Sequence, residues 1–422
     1  MVFSNYKHLK KLQPDFILLC LILFSFPFRL NISNLFLISA FIYSCYLLII
    51  KKERVNIYRF YILFPIAFFL ITLTSALFSK NISVGFSSVN KDLLLILIPI
   101  TLLVLTKKRI NLNKLLQVFL ISNIIATFIL LSFNLYNFLK GVNTDQLFFH
   151  DFTRLYDQHP VYYSLNLALS CFFLNELYLK KKKVSLVVFI ASSIILFLGI
   201  FFCASKIIIS VFIILYIIQL LLLVKKMKFK LMFLFLFAFS IIFSANNTYI
   251  KDRFVSGFKY GFADFQPVED VREAKTFTYD EKENISDLEL RVLFAKIGLF
   301  HFWNDDKLLF GYGVGDVQTH LDYHYMFYGL APNWYQGYNL HNQYLQVLLT
   351  FGLFVFLLFI IYLYLSLQKA IKSKSIIHIY FIIIILVAFI FESYLVRNKG
   401  ILFFYSFNTL FLINSRKTKK LI

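Results

Sequence analysis

The chain has 422 residues, of which 59% are hydrophobic and only 15% charged, with a mean hydropathy of +0.74. A soluble domain carries roughly 25% charged residues and its core stops growing at about 250–300 residues, so a soluble globular protein is excluded and lipid is the expected solvent. The net charge of +21 would suit nucleic acid if the basic residues formed one patch, but they fall in short clusters between apolar runs, as orientation signals do.

Stretches of about 17–25 apolar residues mark membrane spans. In chain order they lie at roughly 15–29, 33–50, 58–79, 91–106, 115–138, 161–179, 184–203, 206–224, 231–246, 342–368, 376–395 and 400–415. The pattern predicts an all-α polytopic membrane protein of about 12 transmembrane helices. Lys7, Lys10 and Lys11 precede the first run like a signal sequence, yet no small-residue cleavage site follows, so an uncleaved first helix is expected. Alternate connections collect the basic residues: Lys51-Lys52-Glu53-Arg54, Lys107-Lys108-Arg109, Lys180 to Lys183, Lys225-Lys226 with Lys228 and Lys230, Lys369 with Lys372 and Lys374, and the tail from Arg416. By the positive-inside rule these connections and both termini are cytoplasmic. The expected organisation is a transmembrane bundle of spans 1–9 over 1–246, an exterior (periplasmic) loop over 247–341, and spans 10–12 with a cytoplasmic tail over 342–422. Cys20, Cys45, Cys171 and Cys203 all lie in apolar runs without a C-x-x-C, so they read as small buried hydrophobes.

The loop 247–341 holds 14 of the 22 acidic residues, and loops of that length usually have a role. Leu288, Val292, Ala295 and Leu299 recur at helical spacing, so short helices are expected within it. Several residues could carry chemistry. Lys206, beside Ser205 between two apolar runs, is either a snorkelling cation at a tight turn or a cation lining an outward cavity that receives an anion. Glu392 and Arg397, five apart, are expected to form a structural ion pair. Arg291 opens an amphipathic stretch that leads to Gly311-Tyr312-Gly313-Val314-Gly315-Asp316, where alternating glycines let the backbone bend sharply or approach a ligand. His341-Asn342-Gln343-Tyr344 sits at the mouth of an apolar helix, where a histidine can take a proton from a hydroxyl or serve structure alone. His320 and His324 are four apart and could share a helix face as metal ligands do. No third ligand stands at a diagnostic spacing, and no metal site is expected.

Together these pieces resemble the O-antigen ligase family. His341-Asn342, nine residues, and then Gly352-Leu353-Phe354-Val355 match its H-[NSQ]-x9-G-x-x-[GTV] signature. Arg291, the segment Lys307-Leu-Leu-Phe-Gly-Tyr-Gly-Val-Gly315 and the long loop before His341 look like that family's periplasmic loop. The resemblance implies a GT-C-like, metal-independent glycosyltransferase without cofactor in the bacterial inner membrane. Such an enzyme moves a glycan from undecaprenyl diphosphate to a lipid A-core sugar or another glycan acceptor on the periplasmic face. It implies that Arg291 binds the diphosphate and that His341 activates or orients the acceptor hydroxyl, with Asn342 and Gly313 among the substrate-binding positions. The family's R-x3-L site reads Ser205-Lys206-Ile-Ile-Ile-Ser210 here, so lysine keeps the charge and loses the bidentate fork suited to phosphate. The outer loop 140–160 supplies Arg154 and His159 as further lining. Membrane lipid is the expected surroundings, and nothing in the sequence fixes an oligomeric state.

Other classes make different demands. A ligase and a polymerase of the same superfamily differ only in the acceptor. A twelve-span transporter or flippase should show repeated halves or paired broken helices, and neither is visible. A scaffold whose acidic loop binds a partner would depend on 260–290 and not on His341.

Overall fold

The computed structural model describes residues 13–52, 60–107, 111–223, 255, 261–262 and 264–417, and every regular element among them is helical. The first half holds α1 (Pro14–Ser25), α2 (Leu30–Ile49), α3 (Phe60–Leu77), α4 (Ile82–Asp92), α5 (Leu94–Leu105), α6 (Leu112–Leu139), a one-turn α7 (His150–Thr153), α8 (Pro160–Asn175), α9 (Leu186–Cys203) and α10 (Lys206–Leu223). After the polar segment come α14 (Gln343–Lys372), α15 (Ile376–Phe391) and α16 (Asn398–Lys417); the polar segment itself contributes α11 (Tyr279–Asn284), α12 (Asp287–Asn304) and α13 (Val317–Phe327).

Among the described residues six helices are long and apolar enough to cross a membrane: α2, the continuous pair α4–α5, α6, α9, α10 and α14. Three shorter apolar helices, Pro14–Ser25, Ile62–Leu77 and Ile376–Phe391, accompany them. The predicted ninth span, 231–246, lies outside the described residues. The expected run 91–106 is the second part of a helix that begins at Ile82, because Asn81 caps it by accepting the Val84 amide.

Two predicted spans, at α8 and α16, belong to neither group, and burial explains why they look different. Almost every residue of α8 is buried against α6, α9, α10 and α15, so it can carry Asn and Tyr that a lipid-facing helix would not. Such groups must find partners inside the bundle. Asn175 donates to Gln219 at 2.8 Å, Gln219 donates to the Phe172 carbonyl at 2.8 Å, and the Thr127 and Tyr163 hydroxyls are 3.0 Å apart. In α16, Asn408 donates to the Tyr362 and Ser366 hydroxyls at 2.9 and 3.1 Å and sits 3.3 Å from His378 Nε2, which ties α14, α15 and α16 together.

The polar segment is folded around its own core of Phe265, Phe277, Leu293, Phe294, Ile297, Phe302, Leu321, Tyr325 and Tyr328, closed by Leu340 and Leu349 from either side of His341. Both α11 and α12 begin with capping boxes, Thr278 with Glu281 and Ser286 with Glu289. The glycine-rich stretch then docks this segment on the bundle through its backbone. Gly352 has φ +80° and breaks the hydrogen-bond ladder of α14. Into that break the Tyr312 and Gly313 amides donate to the Leu349 and Thr350 carbonyls at 2.8 and 2.9 Å, and the Leu353 amide donates to Leu308 at 2.8 Å. The Val314 and Gly315 amides donate to Ser75 and Ser79 at the end of α3, and Asp316 accepts the Lys80 and Asn81 amides at 2.8 and 2.9 Å. A side chain at Gly352 would collide with the Leu309 carbonyl. The glycines therefore bend the chain for packing between α3 and α14.

Candidate active site

A cavity of about 730 Å³ opens where five separate segments meet. Ala204, in the left-handed region at φ +45°, turns α9 sharply into α10 and delivers Ser205 and Lys206 to the cavity wall. The first turns of α12 bring Asp287 and Arg291, the end of the polar segment brings Tyr338, Asn339 and His341, the stretch after α15 brings Glu392 and Arg397, and the approach to α8 brings His150 and His159. Lys206 and Asp287 are 81 residues apart in sequence, so only the fold makes them neighbours.

Each cation is held in place. Lys206 Nζ lies 2.6 Å from Asp287 Oδ2, with the lysine side chain 11% exposed and the aspartate 56%. Arg291 Nε donates to the Phe391 carbonyl at 3.0 Å, and its Nη1 donates to the Asp287 carbonyl one helical turn back. These bonds aim the guanidinium at the gap between α12 and the end of α15. Asp287 thus stands between the two cations, and an anion entering the cavity must compete with its carboxylate for Lys206.

His341 has φ +46°, in the left-handed region, and its amide donates to the Asn339 side chain at 2.9 Å. Its Nδ1 faces Glu392 Oε2 at 3.5 Å, an ion-pair distance without hydrogen-bond alignment. A carboxylate there favours the proton on Nδ1 and leaves Nε2 with its lone pair. Burial acts to raise the Glu392 carboxyl, but His341 beside it, together with His159 and Arg291, outweighs burial and holds it below the ordinary range. The expected Glu392–Arg397 pair is thus replaced by Glu392–His341, with Arg397 lining the same cavity. His159 caps α8 by accepting the Val161 amide on Nδ1 at 3.3 Å, which puts its proton on Nε2. Burial pushes His159 down to about 4, helped by His150, Arg397 and His341 and opposed by Glu392, so it is neutral near pH 7. Its ring meets that of His150 edge-on at 4.7 Å.

Of the residues singled out from sequence, Lys206, Arg291, His341, His159, Glu392 and Arg397 line this cavity. The others stand outside its wall. Asn342 caps α14 by accepting the Leu345 amide at 3.0 Å, while its own amide donates to Ser393 at 3.2 Å, which fixes the residue next to His341. Gly313 lies against Ser75 and Ser79, and Arg154 is exposed at the end of α7. Asp287, His150 and Tyr338 belong to the wall without having been singled out. Asp287 alone had a sequence signal, since it falls one helical turn before Arg291 on the same face.

No curated protein matches the chain. The family model described as O-antigen ligase matches residues 191–360, a stretch that contains Lys206, Asp287, Arg291, His341 and the Gly352 break.

Proposed function

We propose that the protein is a membrane glycosyltransferase that moves a glycan from undecaprenyl diphosphate to a hydroxyl of a lipid A-core or related glycan acceptor on the periplasmic face. A polymerase that uses a second lipid-linked glycan as acceptor would employ the same groups. The observation that carries the reading is the meeting of Lys206, Arg291 and a carboxylate-backed His341 in one cavity, inside the stretch that matches the family.

In this reading the donor diphosphate displaces the Asp287 carboxylate from Lys206 and lies between Lys206 and Arg291. His341 Nε2 takes the acceptor hydroxyl proton as the acceptor oxygen attacks the anomeric carbon. The bond from that carbon to the diphosphate oxygen breaks, and undecaprenyl diphosphate leaves with the electron pair. The two cations stabilise the charge that develops on the departing oxygen. Glu392 stabilises the imidazolium, which later returns its proton to solvent. In-line displacement inverts the anomeric centre. The transfer itself needs no metal or cofactor in this reading, since an imidazole supplies the base and fixed cations supply the charge.

The test is complementation of a strain lacking the gene with His341→Ala and Arg291→Ala, with insertion checked by membrane immunoblot. Both variants should insert and fail to restore the surface glycan. Restored glycan in both would refute the reading. In the null strain, unattached lipid-linked polymer marks a ligase and single repeat units mark a polymerase.

A further inference from the structure

A second group of side chains lies in a separate pocket of about 760 Å³, which shares no lining residue with the candidate active site. His320 and His324 stand one turn apart on α13, and Asp305 follows the last residue of α12. One ligand atom from each lies within 4.8 Å of the others. We propose that Asp305, His320 and His324 form a binding site for a divalent transition-metal ion, with Zn2+ the best fit.

Four features favour an ion over three unrelated polar groups. The two histidines have the i, i+4 spacing that puts both rings on one helix face. His324 is buried, and both its ring nitrogens lack a hydrogen-bond partner, a cost that a metal bond would remove. Its nearest acidic atom, Asp305 Oδ2, is 3.8 Å from Nε2, too far to hydrogen-bond and close enough to share an ion. The carboxylate and both rings are also braced from behind, as metal ligands are. Tyr312 donates to Asp305 Oδ2 at 2.7 Å and stacks on His320 at 4.3 Å, while His301 stacks on His324 at 3.8 Å and bonds Tyr328 through Nε2 at 2.9 Å.

Two imidazoles and one carboxylate suit Zn2+, with water in the remaining position, whereas Ca2+ and Mg2+ need more oxygen ligands. Bonds of about 2.0–2.2 Å would hold the ligand atoms roughly 3.3–3.6 Å apart, so the site closes by about an ångström. The exposed Asp305 and half-buried His320 have room to move. Lys80 also lines the pocket and opposes a cation, which moderates the affinity. The ion would clasp the corner between α12 and α13. That corner is already fastened to the α3–α4 turn through Asp316, one helical turn before His320. Its role is structural, and the proposed transfer chemistry does not pass through it.

The test uses full-length protein purified in detergent on a tag without histidine, stripped with EDTA, equilibrated with Zn2+ and freed of excess metal. Elemental analysis should find stoichiometric zinc, and zinc should raise the thermal midpoint. Asp305→Asn and His320→Asn should each weaken binding on the order of 10-fold or more, since loss of even an outer-shell partner costs 10–100-fold. A wild-type protein that retains no zinc, or variants that bind it as tightly as wild type, would overturn the proposal. A readout independent of any variant is acylation of histidine by diethyl pyrocarbonate, mapped by mass spectrometry. Zinc should protect His320, and labelling of His320 that zinc leaves unchanged would also overturn it.

Discussion

Glu392→Gln isolates the contribution of the carboxylate behind His341. The substitution keeps the side chain's size and an oxygen that can still face Nδ1, so packing at the end of α15 is preserved. What disappears is the attraction between a carboxylate and the imidazolium that forms as His341 takes a proton. At 3.5 Å and an effective dielectric of about 20, two unit charges attract by about 4–5 kcal/mol. That figure is an upper bound, because proton transfer is incomplete at the transition state and both groups retain some contact with solvent, their side chains being 24% and 14% exposed. With about half of it realised, and about 1.4 kcal/mol per decade, the rate should fall about 50- to 100-fold. The assay is glycan transfer by purified enzyme from a lipid-linked donor, with donor and acceptor varied separately. The loss should appear in kcat, with donor KM changed by less than about twofold, because in the proposed reaction Glu392 backs the base while Lys206 and Arg291 hold the donor. The double variant Glu392→Gln/His341→Ala should be no slower than His341→Ala alone, since a brace for an absent base does nothing. A Glu392→Gln enzyme at full rate, or additive losses in the double variant, would refute the argument.

Lys206→Ala should slow transfer about 100-fold or more, the usual cost of losing one group that stabilises departing charge, whereas Lys206→Arg should stay within about tenfold of wild type because its fork also fits phosphate. Asp287→Asn removes the carboxylate that occupies Lys206 and leaves the backbone carbonyl that holds Arg291, so donor KM should fall, measured from the donor saturation curve. Gly352→Ala should prevent accumulation in membranes, as seen by immunoblot, because φ +80° and the Leu309 carbonyl leave no place for a β-carbon. His159, held at about 4 in the folded protein against about 6.5 unfolded, binds fewer protons folded than unfolded in that window. Stability should therefore rise with pH between about 4 and 6.5 and be fully present above it. His159→Asn keeps the helix cap and should shrink the drop in thermal midpoint between pH 7 and pH 5.

The sequence carried most of the helices because membrane spans announce themselves by length and apolarity, and α2, α6, α9, α10 and α14 fall where the runs do. It carried less where protein rather than lipid is the solvent. The run at α8 looks like any other span, yet its Asn175 and Tyr163 are spent on bonds inside the bundle. The candidate site was legible as separate residues and not as a set. Lys206, Arg291 and His341 could each be read as a charge or a base out of place, but nothing in the spacing joined Glu392 to His341 rather than to Arg397 five residues away. That pairing depends on the left-handed turn at His341, which swings the ring toward α15. Asp305 was invisible as a partner of His320 and His324 for the same reason: its contact crosses from the end of one helix to the face of the next. The alternating glycines allow either a sharp bend or the approach of a ligand, and the structure shows them bending the chain for backbone packing.

The nine residues between Asn342 and Gly352 then acquire a physical meaning. Catalysis by fixed charges works only if the charges do not have to be reorganised when the reaction occurs, and a long polar segment between two spans is a poor platform unless it is anchored. Gly352 supplies the anchor. By breaking α14 two to three turns below its start, it exposes the Leu349 and Thr350 carbonyls to the amides of Tyr312 and Gly313. The same helix presents Leu349 to the core of the polar segment, which Leu340 enters from the other side of His341. His341 is therefore gripped between two residues of one hydrophobic core, with Asn342 capping the helix that follows. Arg291 rides on α12, whose Leu293, Phe294 and Ile297 fill that core from the opposite side. His341 and Arg291 thus belong to a single packed body, and the glycine break fastens that body to α14, which packs on α15, the helix that ends just before Glu392. A histidine without the glycine would be a base on an unfastened segment, and a glycine without the histidine would be an anchor with nothing to position.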